Sequence, residues 1–292
     1  MTSQTHPIRA AFWMIGAIVS FSSMAIAGRE INLQLDTFEI MMYRSLIGLV
    51  VLVCIVSWMG KTDEIKRSQM GLHVIRNIGH FVGQNLWFYA LTLIPLAHLF
   101  AFEFSVPIWV TLAAPFLLAE RLSRVRMLSI FIGFVGILIV TRPWSAGIST
   151  GIIAAALCAI GFAVAIIYTK KLTQTQTITN ILFWMTAIQL VFGIICAGYD
   201  GDIALPTPEN IPWITVIGIA GLVAHLCLTT ALKLAPATFV MPIDFTRLPI
   251  IAIIGMLFYN EPLDLLVILG ALIIFSANYL NIWSETRKKQ IA

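Results

Sequence analysis

Two acidic residues lie deep inside long apolar stretches of this sequence, where an isolated charge is costly. Glu103 stands between FAF and FSVP, and Asp244 lies within FVMPIDFTRLP. A carboxylate removed from water needs a cationic partner or a proton. Glu103 has only His98 as a basic neighbour in its own segment, so it is the candidate for carrying a proton. Asp244 has Arg247 three residues later, and that spacing also fits a structural ion pair.

A stripe of polar side chains runs through the segment 71–92. Arg76, His80 and Gln84 recur at four-residue spacing and therefore share one face of a helix. Two interpretations stay open: side chains that bind a small polar ligand, or a helix interface in which Gly79 and Gly83 permit close approach. The candidate ligand-binding residues of the whole chain are His80, Gln84, Trp87, Tyr89, His98, Glu103, His225 and Asp244.

One further arginine, Arg44, lies inside an apolar segment that opens with Asp36-Thr37-Phe38-Glu39. Its long side chain could reach water along the helix or pair with an acid, and we expect pairing with Glu39, Glu30 or another carboxylate. The candidate structural ion pairs thus involve Glu39, Arg44, Asp244 and Arg247.

The elements that carry these residues occur twice. The segment 90–120 aligns with 231–261 at an offset of 141 positions without a gap. Each copy has a proline turn, a long apolar helix with a carboxylate about a third of the way along, and a closing carboxylate. The identical positions are Ala90/Ala231, Leu91/Leu232, Leu93/Leu234, Pro95/Pro236, Phe104/Phe245 and Glu120/Glu261, and the acidic Glu103 falls on Asp244. The duplication divides the chain into residues 1–145 and 146–292.

The composition assigns the chain to the membrane. Hydrophobic residues make up 59% and charged residues 11% of its 292 residues, and the mean hydropathy is +0.93. A bilayer core takes about 20 apolar residues per spanning helix. We predict an all-α integral membrane protein with ten transmembrane helices, arranged as two five-helix repeats. The predicted spans are 9–27, 37–58, 71–92, 96–118, 126–142, 149–169, 177–198, 211–232, 237–258 and 264–283.

The positive charges predict the orientation of these spans. With both termini in the cytoplasm, the cytoplasmic segments carry most of the lysines and arginines. The segments on the outer side of the membrane carry only Arg29 and Arg142. Because each repeat has an odd number of spans, the two repeats must be inverted. A signal-peptide cleavage site after Ala25-Ile26-Ala27 is an alternative, but loss of the first span would spoil the duplication. The cytoplasmic residues are Arg9, Lys61, Lys66, Arg67, Arg121, Arg124, Arg126, Lys170, Lys171, Lys233, Arg287, Lys288 and Lys289.

Several kinds of chemistry lack the residues they need. The four cysteines fall inside spans without metal-ligand spacing, so we expect no disulfide framework, metal or cofactor. The sequence has neither a G-x-x-x-x-G-K-[ST] phosphate loop nor an H-E-x-x-H motif, so ATP hydrolysis and other enzymatic activity are not expected. Basic residues distributed by membrane side do not indicate nucleic acid.

The chain resembles the EamA-type group of the drug/metabolite transporter superfamily. The resemblance lies in FEIMMYR at Phe38–Arg44, in His73–Leu91 running into Pro95, in Glu120, in Ala231–Pro236 and in Asn260-Glu261-Pro262. It implies a bacterial inner-membrane carrier with a central cavity that opens alternately to each side, and a monomer or a homodimer. The expected function is export of an amino acid or related metabolite, driven by solute or proton gradients. Import of a metabolite such as S-adenosylmethionine or riboflavin, or a non-transport role, are the alternatives.

Overall fold

The computed structural model describes residues 7–31, 35–117, 124–142, 144, 148–234, 243–262 and 264–291. Throughout these residues the regular secondary structure is helical. Glu120 and the second proline turn, at Pro236, lie outside the described residues. The α-helices are α1 (Pro7–Ile31), α2 (Thr37–Trp58), α3 (Met70–Leu93), α4 (Leu96–Glu103), α5 (Val106–Leu117), α6 (Arg124–Thr141), α7 (Thr150–Leu172), α8 (Ile178–Ala197), α9 (Ile211–Leu234), α10 (Arg247–Tyr259) and α11 (Leu265–Ile291).

The helices correspond to the ten predicted spans. Among the described residues, seven helical segments are long and apolar enough to cross a membrane, with α4 and α5 together forming one of them. The helices α10 and α11 contain shorter apolar stretches. Helix α3 has the length of a span, 24 residues, but carries the polar stripe. The prediction of an all-α integral membrane protein is confirmed.

The two repeats each contain a broken helix, and the breaks occur at equivalent positions. In the first repeat the chain turns at Phe104-Ser105, between α4 and α5, directly after Glu103. In the second it turns at residues 245–246, directly after Asp244 and before α10. The local hydrogen bonds also match: Ser105 Oγ donates to Phe102 O at 2.6 Å, and Thr246 Oγ1 donates to Ile243 O at 2.7 Å. The duplicated backbone therefore places both carboxylates beside a helix break.

Helix packing follows the same duplication. Helix α3 of the first repeat packs along α7 of the second, and α9 of the second packs along α1 of the first. The pairs α2/α8 and α6/α11 each join equivalent helices of the two repeats. This is the pattern of a pseudo-two-fold axis, so the bundle core lies between the repeats.

Close backbone contact fixes α3 against α7. A Cβ atom added at Gly161 would lie 2.8 Å from Gly79 O and 2.9 Å from Gly83 Cα. The glycines therefore allow the two helices to touch, as small residues do at membrane helix interfaces. This contact holds the polar stripe of α3 at a fixed depth and orientation.

The two ends of the bundle are held by different contacts. At one end, here named the basic side, Lys66 N donates to Asn180 Oδ1 at 2.9 Å and Thr175 Oγ1 donates to Gln69 Oε1 at 2.8 Å. At the other, the opposite side, Glu39 Oε1 accepts a bond from Ala204 N at 2.5 Å. The helices thus run alternately between the two sides.

A cluster that we name the Glu261 latch joins three elements on the opposite side. The Glu261 carboxylate binds the Arg29 guanidinium of α1 and accepts a bond from Leu96 N, the first residue of α4, at 2.9 Å. Arg29 also donates to Ile94 O at 2.9 Å and lies 4.9 Å from the ring centroid of Tyr259. The latch therefore holds α1, the start of α4 and the end of α10 together at this side.

A second ion pair on the opposite side joins α6 to α11. Asp264 binds the Arg142 guanidinium and accepts a bond from Leu266 N at 2.9 Å. Partial burial raises the pKa of the Asp264 carboxyl. The hydrogen bonds from Leu266, Arg142 and Val267 outweigh burial and hold this pKa below its ordinary value. The carboxylate is therefore more stable in the folded protein than in the unfolded chain.

Candidate functional site

A basic cluster occupies the middle of the bundle, formed by Arg44, Arg76, His80 and His225. Arg44 is 5% exposed and Arg76 4% exposed, and the charges of both arginines act on both histidines. The two imidazoles meet at 3.4 Å between their Nε2 atoms. Helices α2, α3 and α9 contribute these four residues, so the cluster depends on contacts between the repeats.

Two amide side chains connect the members of the basic cluster. Arg44 Nη1 donates to Gln189 Oε1 at 3.3 Å, and Gln189 Nε2 lies 2.9 Å from His80 Nδ1. Asn77 Oδ1 accepts bonds from Gln189 Nε2 at 3.2 Å and from Arg76 Nη1 at 3.1 Å. An amide donor at Nδ1 leaves the proton of neutral His80 on Nε2, where it points to His225.

The basic cluster has no acidic partner in the part of the chain that the structure describes. The expected ion pair between Glu39 and Arg44 does not form: Glu39 closes a capping box with Asp36 at the start of α2 and binds Ala204 N. The two residues are five positions apart on a helix, which turns them to different faces. Arg44 instead keeps a buried Nε atom without a hydrogen-bond partner. Within the described residues the two guanidinium groups bond to amide and hydroxyl oxygens rather than to carboxylates.

A second cluster, here named the aromatic cage, surrounds the guanidinium of Arg247. Glu103 Oε1 accepts from Arg247 Nη2 at 2.8 Å, and Asp244 Oδ2 accepts from the same atom at 3.3 Å. Three phenylalanine rings complete the cage. Their centroids lie 4.8 Å (Phe21), 5.0 Å (Phe100) and 5.3 Å (Phe104) from Arg247 Cζ.

The cage changes the interpretation of Glu103. The argument for a lone proton carrier assumed that Glu103 had no basic partner, but Arg247 from the other repeat provides one. Trp87 Nε1 also donates to Glu103 Oε2 at 2.9 Å. The predicted spacing of Asp244 and Arg247 does bring their charges together, yet Asp244 is the more distant of the two carboxylates.

The other predicted ligand-binding residues separate into three environments. Gln84 is buried one turn beyond His80, and its Nε2 atom has no hydrogen-bond partner among the described residues. Tyr89 lies on the outer surface of the bundle, 45% exposed, because it is out of phase with the stripe. His98 lies near the opposite side, where the charges of Asp264, Arg142 and Glu261 act on it. The structure therefore does not bring Tyr89 or His98 to the central clusters.

Phe21 joins the basic cluster to the aromatic cage. The Phe21 ring contacts the His225 ring edge to face, with 5.7 Å between the ring centroids. Its centroid also lies 4.8 Å from Cζ of the Arg247 guanidinium. A positively charged cluster and a cluster with two carboxylates are thus separated by a single aromatic side chain, and together they form the candidate binding site.

Sequence reasoning missed several residues of this site. Asn77 and Gln189 are amides within spans, and the polar stripe could have indicated the first of them. Of the cage phenylalanines, Phe104 is a matched position of the repeat, but Phe21 and Phe100 have no distinguishing signal among the 18 phenylalanines of the chain. Only their position around a guanidinium identifies these two.

The fold and the buried polar site define a polytopic helical membrane protein of the solute-carrier class. The chain belongs to the EamA-like transporter family, whose profile matches residues 8–142 and 149–283. The two matches coincide with the two halves of the structure. Transport of a small molecule, rather than catalysis, is therefore the class of activity.

Individual relatives match this chain over nearly their whole length. An S-adenosylmethionine uptake transporter of Rickettsia bellii is 27% identical over 275 residues, which is 94% of both chains. A riboflavin transporter of Vibrio cholerae is 23% identical over 296 residues, covering 99% of this chain and 98% of that one. A solved crystal structure superposes with a TM-score of 0.67 at 17% identity, over 95% of this chain and 98% of that chain, which shows the shared fold.

Proposed function

We propose that the chain is a secondary carrier for a small zwitterionic metabolite that bears a carboxylate, with S-adenosylmethionine as the first candidate. The observation that carries this proposal is the basic cluster, where Arg44 and Arg76 are buried without an acidic partner among the described residues. Charged residues inside a membrane bundle face a pathway or pair with one another. A carboxylate between these arginines would supply the missing charge.

The inverted repeats support alternating access. In transporters built this way, substrate sites lie near the bilayer midplane beside discontinuous helices, and one repeat moves against the other. Both breaks of this chain adjoin the aromatic cage. The Glu261 latch would then hold the opposite side closed while the basic side opens.

Charge favours an S-adenosylmethionine-type substrate over riboflavin. Riboflavin has no carboxylate and would leave both arginines unneutralised, whereas S-adenosylmethionine has a carboxylate and cationic groups. The name of the Rickettsia bellii relative supports the same substrate and supports uptake as the direction. We accordingly propose uptake across the bacterial inner membrane, with both termini in the cytoplasm, in place of the export expected from the sequence. Fusion reporters at each terminus test the orientation.

Counterflow in proteoliposomes tests the function. Vesicles preloaded with unlabelled S-adenosylmethionine, riboflavin or amino acids are diluted into the same labelled compound, and we expect accumulation of S-adenosylmethionine. Hydrogen bonds to a charged group contribute about 1.5–3 kcal/mol, so Arg76→Gln should reduce the apparent affinity roughly 10- to 100-fold. Arg9→Gln, which removes an exposed arginine, should not. Accumulation of riboflavin alone, or equal effects of the two substitutions, would contradict the proposal.

Proton coupling through Glu103 stays a prediction. Counterflow needs no proton gradient, so it separates carrier activity from coupling. Net uptake measured with and without a pH gradient, in the wild type and in Glu103→Gln, tests the coupling itself. A gradient-dependent rate that the substitution abolishes would support it, and a rate independent of the gradient in both proteins would exclude it.

A further inference from the structure

The aromatic cage contains two carboxyl groups but one resident cation. Within the described residues, Glu103 and Asp244 are the two carboxylates around one guanidinium, that of Arg247. Asp244 Oδ1 and Arg247 Nε are both buried without a hydrogen-bond partner. The cage is therefore not a closed ion pair, and with both carboxylates ionised its charge matches one additional monovalent cation.

The aromatic rings of the cage can bind several chemical types of cation. Three phenylalanine rings face the guanidinium at 4.8–5.3 Å, and aromatic faces attract cations through the ring quadrupole without a need for hydrogen-bond donors. Such a surface binds sulfonium and quaternary ammonium groups as well as guanidinium.

The position of Arg247 allows it to move. It is the first residue of α10 and directly follows the break at residues 245–246. Helix breaks are the places where a small backbone change redirects a side chain. Asp244 precedes the same break and already contacts Arg247, whereas Glu103 lies on α4 and accepts a bond from Trp87. A backbone change at the break can therefore lengthen the Arg247–Glu103 contact.

We propose that the cage is the binding site for the cationic group of the substrate and that Arg247 occupies it when no substrate is bound. When a sulfonium or alkylammonium group enters, Arg247 stays bound to Asp244 and leaves Glu103 and the aromatic rings. These groups then bind the entering cation. Each cation then has one carboxylate. Because the carboxylate of the substrate faces the basic cluster across Phe21, this inference rests on the proposed function and completes it.

Binding of two matched compounds tests the displacement. S-adenosylmethionine and its thioether analogue S-adenosylhomocysteine differ by a methyl group and the positive charge on sulfur. In calorimetric titrations of the detergent-purified protein, we expect the sulfonium to bind at least ten times more tightly. Arg247→Gln should tighten sulfonium binding further without the same gain for the thioether, and Glu103→Gln should remove the preference. Glu209→Gln, at an exposed acid, is the control. An equal preference in the wild type and in Glu103→Gln would overturn the proposal.

A second measurement needs no assumption about the transported compound. Tetramethylammonium chloride, compared with sodium chloride at equal ionic strength, should raise the thermal unfolding temperature of Arg247→Gln and not that of the Glu103→Gln/Arg247→Gln double variant. If Arg247→Gln does not fold, the wild type is compared with Glu103→Gln, and the larger shift is expected in the wild type. No shift in any of these proteins would refute the cation site. A shift without S-adenosylmethionine binding would preserve the site and refute the substrate.

Discussion

Substitution of Glu261 by glutamine should open the carrier toward the opposite side. The carboxylate joins the connector after α10 to Arg29 of α1 and to Leu96 N, at 2.9 Å, at the start of α4. Glutamine retains one carbonyl oxygen for the Leu96 N–H but loses the charge that attracts Arg29. Arg29 keeps its bond to Ile94 O, so the substitution leaves no orphaned guanidinium.

The size of the effect follows from the contacts. Hydrogen bonds to a charged group contribute about 1.5–3 kcal/mol when buried. The Arg29 and Glu261 side chains are 15% and 13% exposed, so solvent reduces this contribution only in part, and about 1–2 kcal/mol is expected. If the latch forms only in the state closed on this side, the open state gains a factor of roughly 5–30 in population.

Cysteine accessibility measures this population. Gln84→Cys in a background without other cysteines reports whether the interior can be reached, and a membrane-impermeant thiosulfonate is applied from the opposite side. The modification rate should rise with Glu261→Gln by about the same factor of 5–30. Glu209→Gln removes an exposed negative charge from the same side and should leave the rate unchanged. Equal rates in the wild type and Glu261→Gln, or an equal rise in both variants, would refute the latch.

Three further predictions concern stability and the site. Gly161→Ala should lower stability by about 1–3 kcal/mol in denaturation assays because its Cβ would meet the α3 backbone, whereas Gly71→Ala, with open space around it, should not. The Asp264 carboxylate should stabilise the fold fully above its ordinary pKa of 3.8, and the unfolding-temperature difference between the wild type and Asp264→Asn should vanish as pH falls below that value. Tyr89→Phe should leave counterflow unchanged, whereas Gln84→Leu should weaken it.

The apolar spans and their helical class could be predicted from the sequence because they depend on local composition. A bilayer requires long apolar helices, and the ten runs of this chain satisfy that requirement one segment at a time. The duplication added long-range information, since it placed Glu103 and Asp244 at equivalent positions. The exact positions of the breaks at Phe104-Ser105 and 245–246 were not predicted, because the nearby prolines in the sequence, Pro107 and Pro242, are not at equivalent positions of the two repeats.

The partners within the site could not be predicted in the same way. Arg247 binds Glu103 across the two repeats, and the Glu39 expected to pair with Arg44 instead caps its own helix. Periodicity reveals which face of a helix is polar but not which neighbouring helix meets that face. Tyr89 is a second example of this limit. It lies next to the polar stripe in the sequence, but in the bundle it lies on the outer surface.

The duplicated backbone explains how this site acquired opposite charges. The two carboxylates precede equivalent breaks, but their surroundings have diverged: the position equivalent to Trp87 is Leu228, and the position equivalent to Arg247 is Val106. One repeat therefore holds its carboxylate through an indole, while the other supplies the arginine that both carboxylates share. A symmetric pair of carboxylates would attract cations equally from either side. The diverged side chains instead produce one cage with two carboxyl groups beside one cluster with two arginines, and under the proposed function this arrangement binds a zwitterion in a single orientation.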